Sequence, residues 1–191
     1  MTKDKTGFDT RAIHAGQKND PVTGAVMTPI YATSTYAQES PGVHKGYEYS
    51  RTSNPTRKAL EDCIASLENG DQGFAFASGM AATSTILELL DSGDHVIASD
   101  DLYGGTYRLM EDVRKRTSSL DFSFVDFSKT SNILDAIKPN TKMLWLETPS
   151  NPLTEVCDIR ALADIAHQSN SLLVVDNCFC TPAHQLPIKF G

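Results

Sequence analysis

The chain has 191 residues, of which 40% are hydrophobic, 21% charged and 8% aromatic, and its formal net charge is −7. That composition excludes collagen-like, low-complexity and disordered chains, and the length suffices to bury a core as one large domain or two small ones. The acidic balance argues against nucleic acid or an anionic membrane surface as partner, and no apolar run reaches membrane-spanning length.

The N-terminus, Met1-Thr2-Lys3-Asp4-Lys5-Thr6-Gly7, lacks the apolar centre of a secretory signal, so the expected compartment is the cytoplasm. Residues 1–54 are rich in Gly and Pro and poor in helical periodicity. They read as an arm laid over another surface, such as a second subunit, with one short extended piece over 29–36. At residue 55 the pattern becomes regular. Asn54-Pro55-Thr56 is a helix start, and Leu60, Cys63, Ile64 and Leu67 keep helical spacing up to a stop at Gly70. Residues 73–77 read as a strand and 81–90 as a helix. Then come a strand over 95–99, a helix over 106–116, a strand over 122–125, a short helix over 132–137, a strand over 142–147, a helix over 159–168 and a strand over 171–176. This alternation predicts an α/β domain with a mostly parallel sheet covered on both faces, occupying residues 55–191.

In such sheets ligands bind at the carboxyl ends of the strands. That directs attention to the turns 78–80, 100–105, 147–151 and 176–179. No dinucleotide fingerprint, Walker motif or nucleophile elbow is present. The five histidines are scattered, and no cysteine pair has metal or redox spacing. Cys178 and Cys180 would share one face of a strand, where buried thiols behave as small hydrophobes.

Ser78-Gly79-Met80 joins a strand to a helix, and the free N–H groups of a helix N-terminus suit a phosphate. Asp176 closes a very apolar strand. A carboxylate there serves as a helix cap, an arginine partner, or the partner of a protonated ring nitrogen. Tyr103 either stacks on a planar ring or covers the sheet edge. Asn151 either donates to a phenolic oxygen or shapes its turn. Arg51, with Tyr49 two residues before it, has the geometry and fixed charge of a phosphate clamp. One planar phosphorylated cofactor would use all of these groups.

Five segments resemble those of the Cys/Met-metabolism pyridoxal-phosphate enzymes, the transsulfuration group. They are Tyr49-Ser50-Arg51-Thr52-Ser53-Asn54-Pro55-Thr56-Arg57, Ala77-Ser78-Gly79-Met80-Ala81-Ala82, Asp101-Leu102-Tyr103-Gly104-Gly105-Thr106, Glu147-Thr148-Pro149-Ser150-Asn151-Pro152 and Val174-Val175-Asp176-Asn177. The resemblance covers nearly the whole chain in order. It implies a type I aminotransferase-like fold that binds pyridoxal 5'-phosphate, usually in a homotetramer built from dimers with shared active sites. It implies that Gly79 and Met80 give N–H groups to the phosphate, and that Tyr49 and Arg51 reach the phosphate of a neighbouring subunit. Tyr103 would stack on the ring and assist proton transfer, Asn151 would bond the ring hydroxyl, and Asp176 would hold the ring nitrogen protonated.

The family's Schiff-base lysine lies in a Ser-x-Thr-Lys motif that the resemblance places shortly beyond Gly191, and no lysine within the sequence has that context. The chain therefore reads as the N-terminal part of such an enzyme. The expected activity is γ-elimination or γ-replacement on cystathionine or an activated homoserine. The segment 100–108 and Glu48 before Tyr49 resemble the cystathionine γ-lyase and γ-synthase branch most. The alternatives are a β-eliminating cystathionine lyase and an inactive cofactor-domain fragment or assembly partner.

Overall fold

The computed structural model describes residues 6–191, so the expectation on a secretory signal falls largely on residues outside it. The chain divides into two compact units, one running to Ala75 and the other from Phe76 to Gly191.

In the first unit, helix α1 (Phe8–His14) packs against helix α2 (Pro55–Glu68). Asn54 caps α2 as its spacing predicts, with its side-chain oxygen accepting the N–H groups of Thr56 and Arg57. The helix stops at Asn69 rather than Gly70, because Asn69 takes the left-handed conformation at φ 58°. Arg11 of α1 donates to the Ser66 carbonyl, and so meets the negative end of α2. Gly16 allows the approach: its φ is +76°, and a Cβ there would stand 2.3 Å from the Ala59 carbonyl oxygen.

The second unit is built on a four-stranded sheet of β1 (His95–Ser99), β2 (Asp121–Val125), β3 (Thr141–Glu147) and β4 (Leu172–Asp176), in the order β2-β1-β3-β4. Every pairing is parallel. Successive residues of the two central strands therefore face opposite layers. Val96, Ala98, Met143 and Trp145 pack with Leu87, Leu102 and Met110 on one side. Ile97, Leu144 and Leu146 pack with Ile133, Ile159, Leu162 and Ile165 on the other. This two-sided burial explains the near-continuous apolar run of β3. Trp145 is the single tryptophan and is buried to 2% exposure.

The covering helices are α3 (Gly79–Leu87), α4 (Gly104–Arg108), α5 (Lys115–Thr117), α6 (Thr130–Ala136) and α7 (Ile159–Gln168), and a short α8 (Thr181–His184) follows β4. A π-helical stretch, Leu109–Arg114, joins α4 to α5. Asp158 caps α7 by accepting from Ala161 N–H, and Ile159, Leu162, Ala163 and Ala166 form its buried stripe.

Two expectations fail. Residues 73–77 form no strand, because a ladder needs a neighbour and no described segment pairs with them; the Ala75 N–H goes instead to the Glu61 carboxylate at 3.1 Å. Cys178 and Cys180 sit in the turn after β4 rather than in a strand, so the shared-face argument does not apply to them.

Candidate active site

Because all four strands run the same way, Ser99, Val125, Glu147 and Asp176 end at one edge of the sheet. A cavity of about 370 Å³ opens in the second unit, lined among others by Gly79, Met80, Tyr103, Glu147, Asn151 and Asp176. A larger open cleft of about 710 Å³ lies within the first unit, lined by residues from His14 to Asp62, and it contains no strand-end residue.

Ser78 is the N-cap of α3 and accepts the Ala81 N–H at 3.1 Å. Gly79 and Met80 are the first helical residues, whose N–H groups no helical carbonyl can reach. A Cβ on Gly79 would meet nothing within 4 Å, and its backbone is not in the left-handed region. Neither conformation nor packing inside this chain therefore asks for glycine there.

Tyr103 precedes α4, its carbonyl accepting from Thr106 N–H at 2.8 Å and Tyr107 N–H at 3.2 Å. Its ring lies directly beside Gly105, where a Cβ would stand 2.4 Å from Tyr103 Cε1 and 3.1 Å from Met80 Sδ. Asn151 sits in a turn scaffolded from below: Thr148 Oγ1 accepts from Cys157 N–H at 3.1 Å and Ser150 Oγ from Glu155 N–H at 2.8 Å. Asp101 ties this turn to that of Tyr103, accepting from the Ser150 hydroxyl and from Leu153 N–H at 3.0 Å. Among the described residues no group takes up the Asn151 side-chain amide.

Asp176 accepts the Cys178 N–H at 3.1 Å. The neighbouring Asp176 carboxylate, with burial second, pushes the Cys178 thiol up to about 11. No ion pair to Asp176 forms among the described residues. The arginine partner considered for it is therefore not seen, and a carboxylate that lines a cavity without a cation suits a cationic ligand atom.

Glu147 was not among the residues singled out by sequence. It is 6% exposed, lines the same cavity, and accepts the Tyr103 N–H at 2.7 Å. Burial raises its carboxyl above the ordinary range. The Tyr103 N–H opposes that, while Asp176 and Asp101 add to it.

Gly79, Met80, Tyr103, Asn151 and Asp176 thus meet in one cavity. Tyr49 and Arg51 lie in the first unit, with the Arg51 guanidinium 4.9 Å from the Tyr49 ring centroid. Arg57 holds their turn, donating to the carbonyls of Ser50 at 3.3 Å and Thr52 at 2.8 Å. No group of three or more potential metal ligands occurs among the described residues, and none of their helices is long and apolar enough to cross a membrane.

The family model described as Cys/Met metabolism PLP-dependent enzyme matches residues 9–191. A cystathionine beta-lyase of Coxiella burnetii is 61% identical over 98% of this chain and 48% of its own length. A probable cystathionine gamma-synthase of Herpetosiphon aurantiacus is 51% identical over 97% of this chain and 58% of its own. The crystal structure of cystathionine gamma-lyase from Lactobacillus plantarum complexed with L-serine superposes with a TM-score of 0.94 at 46% identity, covering 97% of this chain and 48% of that one. The chain spans about half the length of these relatives.

Proposed function

The chain belongs to the Cys/Met metabolism PLP-dependent enzyme family, and from that premise we propose that the whole protein is a transsulfuration enzyme, acting on cystathionine or an activated homoserine with loss or replacement of the γ-substituent. The α/β fold with a parallel sheet is the one its sequence leads one to expect, the type I aminotransferase-like class of its solved relatives. The observation that carries the proposal is the meeting, in one cavity, of a helix N-terminus, an aromatic ring, an unpartnered amide and a carboxylate without a cation.

These groups fit pyridoxal 5'-phosphate. Gly79 and Met80 would hold its phosphate, Asn151 its ring hydroxyl, Asp176 its ring nitrogen and Tyr103 its ring face. Tyr49 and Arg51 would serve the phosphate of a neighbouring subunit, with residues 1–54 as the arm that reaches it and residues 55–191 as part of the cofactor domain. The assembly proposed is a homotetramer of two such dimers, in the cytoplasm.

When bound, the cofactor supplies an electron sink for the carbanion formed at the substrate α-carbon. Asp176 would hold a proton on the ring nitrogen. The Tyr103 hydroxyl moves a proton at the substrate amine. Met80, Pro149 and Phe179 give the cavity apolar lining.

A second reading, β-elimination, is favoured by the 61% identity to a protein named cystathionine beta-lyase. One assay separates the two. The purified protein, loaded with pyridoxal 5'-phosphate, is given cystathionine and water. Cysteine, 2-oxobutanoate and ammonia mark the γ reaction; homocysteine, pyruvate and ammonia mark the β reaction. If neither oxoacid appears, and an activated homoserine with cysteine gives no cystathionine, the catalytic proposal is wrong and a cofactor-binding chain without chemistry remains.

A further inference from the structure

Tyr103 has one backbone group that its own helix cannot satisfy. Its carbonyl is engaged by the first turn of α4, through Thr106 and Tyr107, whereas its N–H points away from the helix. The acceptor comes from the end of β3, 44 residues later in the chain: Glu147 Oε2 lies 2.7 Å from Tyr103 N. Strand β3 runs between β1 and β4 and is paired on both sides, so the acceptor stands on one of the most constrained backbones in the unit. With both backbone groups fixed, the Tyr103 ring has little freedom beyond its own side-chain torsions. It occupies the space beside Gly105 that any other residue would fill.

A carboxyl group is a costly choice for this task. Glu147 is buried and has no cationic partner among the described residues. Its register partner on β4 is Asp176, which adds like charge. A strand end that served packing alone would be better filled by an apolar residue.

We infer that Glu147 is a positioning residue for the cofactor site: from the end of β3 its carboxyl group fixes the Tyr103 main chain, and through it sets the ring against the cofactor. The inference rests on the proposed role of Tyr103, and its test separates the two.

Amide hydrogen exchange is measured first, without cofactor. The Tyr103 amide exchanges slowly in the unmodified protein and in Glu147→Gln, which keeps an oxygen acceptor, and at least tenfold faster in Glu147→Ala. Binding of pyridoxal 5'-phosphate is then titrated by quenching of Trp145 fluorescence. Glu147→Ala and Tyr103→Ala each weaken binding about tenfold, Glu147→Gln stays within about threefold, and the double alanine variant binds no worse than the weaker single one. Urea midpoints confirm that each variant is folded.

A Tyr103 amide that exchanges freely in the unmodified protein overturns the inference even if the cofactor binds. So does a glutamine variant as impaired as the alanine one, or single effects that multiply in the double variant. A protected amide that depends on Glu147, together with binding indifferent to Tyr103→Ala, overturns the stacking role of Tyr103. The tether of Glu147 to the Tyr103 main chain then stands as a fact about the turn, and its role toward the cofactor falls with the ring.

Discussion

Glu147 and Asp176 are register partners across the β3–β4 pair, and both line one cavity. Two carboxylates so placed, with no cation bound to either among the described residues, impose opposite demands. One is buried at 6% exposure and pushed toward its neutral form. The other is half-buried and accepts the Cys178 N–H at 3.1 Å. A single positive charge entering the cavity would find both carboxyl groups in its lining, with Asp176 the less buried of the two.

The proposed pairing with the ring nitrogen makes Asp176 the group whose charge matters for binding. Asp176→Asn keeps size and hydrogen-bonding capacity but removes the charge. The expected loss of affinity for pyridoxal 5'-phosphate is about tenfold to a hundredfold, the worth of a charge-assisted hydrogen bond. Trp145 fluorescence reads it directly. The same substitution removes the carboxylate charge that helps raise the Cys178 thiol, so Cys178 should react faster with a thiol reagent at pH 8. Unchanged affinity would mean that the ring nitrogen does not meet this carboxylate.

Glu147 carries its own pH signature. Its folded pKa lies above the unfolded value of 4.5, chiefly through burial. The folded protein therefore binds a proton that the unfolded chain has released, and stability is lost as pH rises from 4.5 through the folded pKa. Glutamine at this position cannot ionise. The stability of Glu147→Gln relative to the unmodified protein should rise over that window and level off above it. Urea unfolding of both, without cofactor, between pH 4 and pH 8 measures the difference; parallel curves would exclude Glu147 as its source.

At the other end of the cavity, Gly79→Ala separates folding from binding. The Cβ meets nothing within 4 Å, so the fold should lose nothing, and a gain of up to about 0.5 kcal/mol is expected from the helix position. Affinity for pyridoxal 5'-phosphate should nevertheless fall several-fold, because the methyl group occupies space at the helix N-terminus. A fall in stability, or an affinity that does not change, would contradict a phosphate resting on this turn.

How much of this was legible in the sequence follows from the range of the forces involved. The sequence pattern predicts β1 at its observed bounds, His95–Ser99, and α7 at Ile159–Gln168, because their apolar patterns are set by burial against a sheet. The strand read over 73–77 had the right residue types, yet pairing is a property of neighbours and not of the segment. Helix α1 leaves no periodic signal in seven residues without a side-chain cap; its partners, Ser66 and Asn69 of the α2 end, lie more than fifty positions away. Turn residues such as Gly79, Tyr103, Asn151 and Asp176 stood out because they interrupt strong patterns. Glu147 looked like the ordinary polar end of a strand. Only its hydrogen bond to Tyr103 distinguishes it, and that contact is long-range.

The opposite edge of the sheet supplies a test of the fold alone. His95, the first residue of β1, is fully buried, with Nδ1 2.8 Å from Thr141 Oγ1 and Nε2 2.9 Å from Ser123 Oγ. Burial lowers its pKa below 6.5, Lys138 lowers it further, and Asp121 opposes both. The unfolded chain takes up a proton below about pH 6.5 that the folded protein refuses, so stability falls as pH drops from 6.5 through the folded pKa. His95→Asn cannot follow that titration. It should be less stable than the unmodified protein at pH 7.5 by about 1–3 kcal/mol, the cost of leaving the buried Thr141 hydroxyl and the half-buried Ser123 hydroxyl with poorer partners. The gap should narrow toward pH 5, where the histidine form has lost its advantage. Urea midpoints of both proteins at pH 7.5 and pH 5 decide it: a gap of equal size at both would place the acid sensitivity elsewhere.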